Sequence, residues 1–377
     1  MTAFEQVGVR CGAFREVRCN IQGTHKGQRV SFLAAGSRIS TLYRAMRGAA
    51  RAGERFAASL SWPALIVLGL ALLPMAAIAV LALPLLAAVV PARVMVGAIW
   101  RKSRRRVLAG SGEVNVITDI GGRSYRLTSD DAYLYRVEGK FEPGTVRLLS
   151  ALVRPEDTVF DVGASIGCTS LLFGARAARV FSFEPSADTF RYLQHNLAAA
   201  GSNNVTAVNA GLGDVAGTFE LVFAPTDRSG GFVADRLRAP GGHKIEQVRI
   251  LRGDDFVVDN AIAKVDLIKI DVEGFERHVI AGLEATLARD RPVVVLELNH
   301  WCLNAFRRTS LPDFLDFLRG VFPVLYAVEA TDFRDLHDRD QSYHVMHHHI
   351  VHKGRYQNIV AAFARDRLAG LEPVQRR

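Results

Sequence analysis

Beyond residue 157, apolar segments rich in β-branched residues alternate with segments of helical character, and this alternation limits the possible folds more than any other feature. The predicted strands are Thr158–Val162, Arg179–Phe183, Val205–Asn209, Val265–Ile270 and Pro292–Leu298. The predicted helices are Gly167–Arg176, Asp188–Ala199 and Glu276–Leu287. Such alternation is typical of a parallel sheet covered by helices on both faces. The sequence therefore predicts an α/β fold with a doubly wound, mostly parallel sheet.

A smaller module is predicted just before this alternation. Its strands are Val114–Ile117 and Ser124–Thr128, which flank the turn at Gly121-Gly122. Its helices are Asp131–Arg136 and Thr145–Leu152. We expect this module to lead into the larger sheet, so that residues 107–377 form one domain.

An uncharged segment precedes that domain. The 37 positions from Phe56 to Ala92 contain no charged residue and no histidine. Because about 20 apolar residues cross a bilayer, the run predicts a membrane element, either one long crossing or a hairpin broken near Pro74 or Pro84. Basic residues on both sides favour a hairpin with both ends in the cytoplasm. A buried helical hairpin in a soluble protein is the alternative.

The net charge of +9 is distributed unevenly along the chain. Residues 1–106 contain 16 Lys and Arg against 3 Asp and Glu, whereas residues 107–377 contain 31 against 35. We interpret residues 1–55 as a poorly ordered basic arm, with Met46 as an alternative start, and residues 56–106 as the membrane element with its basic flank. This distribution argues against a nucleic-acid partner and for a C-terminal domain on the cytoplasmic side of a membrane. The scattered cysteines favour free thiols in a reducing compartment: Cys11, Cys19, Cys168 and Cys302.

A glycine-containing turn follows the first strand of the alternation, with the sequence Asp161-Val-Gly163-Ala-Ser-Ile-Gly167. Glycines at such a turn allow the backbone to approach a ligand closely. The spacing D-x-G-x-x-x-G differs from the G-x-G-x-x-G that holds a pyrophosphate, which disfavours a nicotinamide-dependent oxidoreductase. We expect Asp161 to face the cationic amino acid part of S-adenosylmethionine.

Two further acids follow the next strands. Glu184 lies 23 positions after Asp161, where an acid is placed to accept hydrogen bonds from ribose hydroxyls. Asp214 is positioned either to contact the adenine amino group or to serve only as a turn residue.

Four stretches form a recognisable pattern: Val159-Phe-Asp-Val-Gly-Ala-Ser-Ile-Gly167, Phe183-Glu-Pro185, Asn209-Ala-Gly-Leu-Gly-Asp214 and Val265-Asp-Leu-Ile-Lys-Ile-Asp-Val-Glu-Gly274, with Glu297 at a later strand end. Over roughly residues 155–300, this pattern resembles the FkbM methyltransferase family. Ser165 departs from the pattern, because the family more often has Asn there.

The resemblance implies a Rossmann-like class I methyltransferase that uses S-adenosylmethionine. It further implies O-methylation of a hydroxyl on a sugar, glycolipid, polysaccharide or related natural product. The implied cofactor-binding residues are Asp161, Gly163, Ala164, Ser165, Gly167, Glu184, Pro185 and Asp214. A membrane-tethered binding module that has lost catalysis is the alternative function.

Methyl transfer requires a group that positions the acceptor oxygen and removes its proton. Lys269, Asp271 and Glu273 alternate along one predicted strand and should share a face. We predict Asp271 as the base, with Lys269 and Glu273 either catalytic or joined in an ion pair. His300 is the second candidate base, because its ordinary pKa suits proton transfer near neutrality.

Three other segments bear on function. Histidines crowd between His344 and His352, and in a predicted final strand they would divide between two faces, so no metal site is predicted. Glu276 is expected to begin a helix, where an acid is favoured. The segment from Ala224 to Lys244 is expected to be a loop that, with the C-terminal strands, selects the acceptor.

Overall fold

The computed structural model describes residues 112–224, 227–234, 242–352 and 354–371. The predicted basic arm (1–55) and the predicted membrane element (56–106) lie outside these residues. Within the described ranges, no helix combines the length and the apolar character needed to cross a membrane.

The strands of the central sheet are β4 (Thr158–Val162), β5 (Arg179–Phe183), β6 (Val205–Val208), β11 (Leu267–Ile270), β12 (Val293–Glu297), β13 (Val324–Glu329), β14 (Asp332–Asp335) and β15 (Asn358–Ala362). These eight strands lie in the order β14-β13-β15-β12-β11-β4-β5-β6. The run from β12 to β6 is parallel, and β15 is antiparallel to both β12 and β13. The predicted Rossmann-like, mostly parallel sheet is confirmed.

Helices cover both faces of this sheet. They are α1 (Leu134–Val137), α2 (Pro143–Leu152), α3 (Cys168–Gly174), α4 (Ala187–Ala199), α5 (Gly253–Asp259), α6 (Glu276–Gly282), α7 (Glu284–Asp290), α8 (His300–Arg307), α9 (Leu311–Val321) and α10 (Arg339–Val351), followed by a 3₁₀ helix at Arg365–Leu371. Successive strand residues point to opposite faces. Val159 and Phe160 accordingly belong to different hydrophobic clusters, and the ring of Phe160 packs edge-on against Phe181, Phe183 and Phe256. Burial on both faces explains why the strands are apolar throughout.

Two smaller sheets flank the central one. The predicted entry module forms the sheet β2-β1-β3 from β1 (Val114–Ile120), β2 (Arg123–Ser129) and β3 (Gly139–Lys140). A second sheet, β7-β10-β8-β9, contains β7 (Gly211–Gly213), β8 (Gly217–Ala224), β9 (Asp227–Val233) and β10 (Lys244–Arg252). The prediction of a loop from Ala224 to Lys244 is wrong where the structure describes that segment, because β9 pairs there with β8.

Two further predictions need correction. The histidines from 344 to 349 lie in helix α10 rather than in a strand, because the side chain of Asp338 caps this helix by accepting from the Gln341 N–H; the final strand is β15. The helix predicted at Glu276–Leu287 is divided at Leu283 into α6 and α7. There Gly282 lies against the backbone of β7, and a Cβ on it would lie 1.9 Å from the Gly213 oxygen.

Candidate active site

The turn after β4 lies at the carboxyl edge of the sheet, where ligands bind in doubly wound folds. Gly163 has φ +80°, and a Cβ there would lie 1.8 Å from the backbone oxygen of Asp271. Only glycine is compatible with this approach. Ser165 also has a left-handed backbone, with φ 49°, a conformation that Asn adopts more readily than Ser. This left-handed backbone conformation explains why the family favours Asn at this position.

Glu184 directly follows β5 and connects the end of that strand to the turn after β4. Its carboxylate accepts the Ser165 N–H at 3.0 Å and the Ser186 N–H at 2.9 Å. The residue is 8% exposed, and burial raises its pKa to about 7. These hydrogen bonds fix the orientation of Glu184, which lines a cavity at this edge of the sheet.

A cavity of about 230 Å³ opens at this edge. Its wall includes Tyr133, Arg136, Glu142, Gly163, Ser165, Glu184, Pro185, Arg228, Ser229, Asp271, Glu273, Phe275 and Glu297. Four predicted cofactor residues (Gly163, Ser165, Glu184 and Pro185) thus share one cavity with the predicted catalytic acids Asp271 and Glu273.

Lys269 contacts both the turn after β4 and the catalytic candidate Asp271. Its Nζ donates to the Gly163 carbonyl at 2.9 Å and lies 3.5 Å from Asp161 Oδ1 and 3.4 Å from Asp271 Oδ2. Burial disfavours the ammonium charge, but Asp271 and Asp161 outweigh it and raise the pKa of Lys269. The ion pairs of Lys269 are with these aspartates, so the alternative of a Lys269–Glu273 pair is wrong.

Three acids meet at the ends of the neighbouring strands β11 and β12. One carboxylate oxygen from each of Asp271, Glu273 and Glu297 lies within 4.8 Å of the others. Burial, followed by the charges of Asp271 and Glu273, raises the pKa of Glu297 to about 10; burial and Asp271 raise that of Glu273 to about 7. Glu297 therefore keeps a proton at neutral pH, because adjacent buried acids do not ionise together. Acids at this spacing are also able to hold a divalent cation.

Glu273 is held in a strained backbone conformation with φ 50°. The thiol of Cys302 donates to its Oε2 at 2.9 Å, and Asn299 Nδ2 donates to the same oxygen at 3.2 Å. These contacts from the start of α8 fix the direction of Glu273, since an unfavourable backbone persists only where its surroundings impose it.

Part of the chain is similar to known methyltransferases. Residues 161–330 match the family model described as the methyltransferase FkbM domain. These residues are therefore a methyltransferase FkbM domain. The match confirms the predicted domain family and the methyltransferase class, for which S-adenosylmethionine is the cofactor.

Two curated relatives are similar to part of the chain. The hexuronic acid methyltransferase AglP of Haloferax volcanii is 28% identical over 187 residues, which cover 48% of this chain and 73% of AglP. The 31-O-demethyl-FK506 methyltransferase FkbM of Streptomyces tacrolimicus is 33% identical over 174 residues, covering 38% of this chain and 65% of that protein.

A crystal structure of an FkbM methyltransferase from Methylobacillus flagellatus is 21% identical, with a TM-score of 0.32 over 46% of this chain and 40% of that one.

The other predicted site residues of this FkbM domain lie away from the cavity wall. Asp161 is fully buried, and its Oδ2 accepts from the hydroxyls of Thr169 and Ser170. Asp214 pairs with His278 at 3.0 Å. His300 begins α8 with its ring 5.0 Å from that of His349. Ala164 and Gly167 belong to the turn after β4 but do not line the cavity. Direct cofactor contacts by Asp161, Ala164, Gly167 and Asp214 therefore stay predictions.

Several residues of the cavity wall were not predicted as site residues from the sequence. Glu297 had a usable signal, because it ends a strand adjacent to β11 and belongs to the family pattern. Tyr133 and Arg136 of the entry module, and Arg228 and Ser229 of β9, carry no comparable signal in the sequence. Only the pairing of β9 with β8 and the position of α1 bring them to the cavity.

Proposed function

We propose that this protein transfers the methyl group of S-adenosylmethionine to a hydroxyl of an acidic sugar or a glycan that contains one. The observation that carries the proposal is the shared cavity, in which Glu184 and the β4 turn adjoin the acid group of Asp271, Glu273 and Glu297. When bound, the cofactor supplies an electrophilic methyl group.

The residues around the β4 turn suit this cofactor. Glu184 uses its two oxygens to accept backbone N–H groups, and each oxygen retains a lone pair for a ribose hydroxyl. Gly163 removes the side chain that would otherwise obstruct the turn. Gly163, Ser165, Glu184 and Pro185 would therefore hold the cofactor.

Asp271 is the residue we assign to the acceptor proton. Its carboxylate is partly exposed in the cavity, and Lys269 behind it stabilises the negative charge. A protonated Glu297 next to it is a hydrogen-bond donor that orients either Asp271 or the acceptor oxygen. General-base assistance by a positioned carboxylate contributes about 10²- to 10⁴-fold to a rate.

The other residues of the cavity wall support an acidic sugar as the acceptor. Acids at Glu142 and Glu273 suit the hydroxyls of a sugar. Arg136 binds Asp227 and Ser229 through Nη2, and its other guanidinium N–H groups can bind a carboxylate of the acceptor. The relative AglP is named as a hexuronic acid methyltransferase, which favours the same acceptor chemistry.

The test is methyl transfer by the full chain from methyl-labelled S-adenosylmethionine to three oligosaccharides. These are a glucuronic acid-containing oligosaccharide, its carboxyl-reduced form and its fully O-methylated form. We expect label in the first, at least tenfold less in the second and none in the third. Equal labelling of the first two would refute the acidic-sugar assignment. Absence of transfer with retained cofactor binding would favour the inactive binding module.

We also propose that residues 56–92 attach the protein to a membrane, with the methyltransferase domain on the cytoplasmic side. The support is the uncharged run and the arginines that flank it. Full-length protein should stay in the membrane pellet after an alkaline wash. Release into the supernatant would contradict the attachment, and cysteine labelling at each flank distinguishes a hairpin from a single crossing.

A further inference from the structure

Helix α10 carries a group of histidines that the methyl-transfer site does not use. Because this region is helical, His344, His348 and His352 follow one another at intervals of one turn. Their ring centroids are 4.1 Å apart for His344 and His348, and 4.8 Å apart for His348 and His352. The ring of His347 lies 5.5 Å from both His348 and His352.

These distances suit imidazoles that share a cation. With Zn–N bonds of about 2.0–2.1 Å, two imidazoles on a tetrahedral ion have ring centroids about 5 Å apart. A pair of histidines four residues apart on a helix is also the arrangement by which helical zinc sites present two ligands. In a strand these side chains would divide between two faces, whereas in helix α10 His344 and His348 lie one turn apart.

The ring nitrogens of this group are available. His344 uses Nε2 for the hydroxyl of Tyr356 at 3.2 Å, which leaves its Nδ1. The Nδ1 of His348 is buried and has no hydrogen-bond partner in the described part of the chain.

We propose that His347, His348 and His352, with His344 beside them, form a binding site for a borderline divalent cation such as Zn²⁺, separate from the methyl-transfer cavity. Imidazole ligands favour such ions over Mg²⁺ or Ca²⁺. In this structure no three of their ring nitrogens lie within 4.8 Å of one another, so the rings would turn about their side-chain torsions to direct one nitrogen each to the ion. A bound cation would tie the last turn of α10 to the residue that follows it.

The neighbouring His349 does not belong to this site. It is buried, its Nδ1 lies 2.6 Å from the Arg355 oxygen, and its Nε2 accepts the His300 N–H. This side chain anchors α10 to the start of α8, which leaves the other four histidines for the cation.

The experiment is equilibrium dialysis of Zn²⁺ alone against untagged, chelator-stripped full-length protein. His348→Ala should weaken Zn²⁺ binding at least tenfold, whereas His195→Ala, which changes an exposed histidine on α4, should leave it within twofold. Asp271→Asn should also leave it unchanged, which separates this site from the acid group. Co²⁺ bound in place of Zn²⁺ should give the absorption of a tetrahedral nitrogen-ligated ion, and His348→Ala should remove it.

Equal Zn²⁺ affinity of the wild type and His348→Ala would overturn the proposal. A loss caused by Asp271→Asn instead would also overturn it, because it would move the ion to the cavity. Circular dichroism of His348→Ala without metal guards against misfolding. If that variant fails to fold, the pair His347→Gln and His352→Gln takes its place, with the same tenfold loss expected.

Discussion

Replacing Lys269 with methionine removes the charge that compensates two aspartates while keeping a side chain of similar length. Asp161 is fully buried, its Oδ1 has no hydrogen-bond partner within the described ranges, and the Lys269 ammonium lies 3.5 Å away. Removing one partner of a buried ion pair costs about 3–5 kcal/mol, because the remaining charge is left uncompensated. We expect the free energy of unfolding to fall by that amount.

Lys264 provides the matched control. It lies 2.6 Å from Asp266 but is 59% exposed, and a surface ion pair of this kind contributes about 0–1 kcal/mol. Guanidinium unfolding of both methionine variants, followed by circular dichroism, compares the two pairs directly. Adding Asp161→Asn to Lys269→Met should recover about 0.5–3 kcal/mol, the usual coupling between contacting groups. Equal losses at Lys264 and Lys269, or no recovery, would refute this account of the buried charge.

Three further predictions follow from the same region. Gly163→Ala should prevent cofactor binding, because the new Cβ would meet the Asp271 backbone oxygen at 1.8 Å; calorimetry should find Gly144→Ala, where nothing lies within 4 Å, unchanged. Burial raises the pKa of Glu276 from 4.5 to about 7, so the folded protein binds this proton more tightly than the unfolded chain does. The resulting contribution to the free energy of unfolding is complete below pH 4.5 and is lost as the pH rises through 7. Glu276→Gln should therefore raise stability at pH 8 by up to about 3 kcal/mol and leave it unchanged at pH 4.5, as measured by urea unfolding. Asp271→Asn should slow methyl transfer by about 10²-fold or more, and a rate within a fewfold of wild type would remove it as the base.

The sheet was predictable because burial on both faces demands unbroken apolar strands. The bounds of β4 and β5 match the prediction, since Asp157 and the glycine turn delimit one strand and Glu184 ends the other. The histidine segment was not predictable in the same way. Its residues have no clear helical periodicity, and the signal that marks a helix is the single cap at Asp338.

The site was predictable only where the sequence places an acid directly at a strand end. Glu184 and Asp271 meet that condition and line the cavity. Asp161 meets it as well, but its side chain turns toward Lys269 and α3, a direction that strand position alone does not determine. Arg136 reaches the cavity from an element far away in sequence, and only tertiary packing brings it there.

The most direct test of the central claim is a calorimetric titration of S-adenosylmethionine into the full-length protein and two variants. We predict that the wild type and Asp271→Asn bind S-adenosylmethionine with similar affinity. Glu184→Ala should lose about 1.5–3 kcal/mol of binding free energy, because it removes the charged acceptor proposed for the ribose hydroxyls. Wild-type affinity in Glu184→Ala, or loss of binding in Asp271→Asn alone, would contradict the division of the cavity into a cofactor end and an acceptor end.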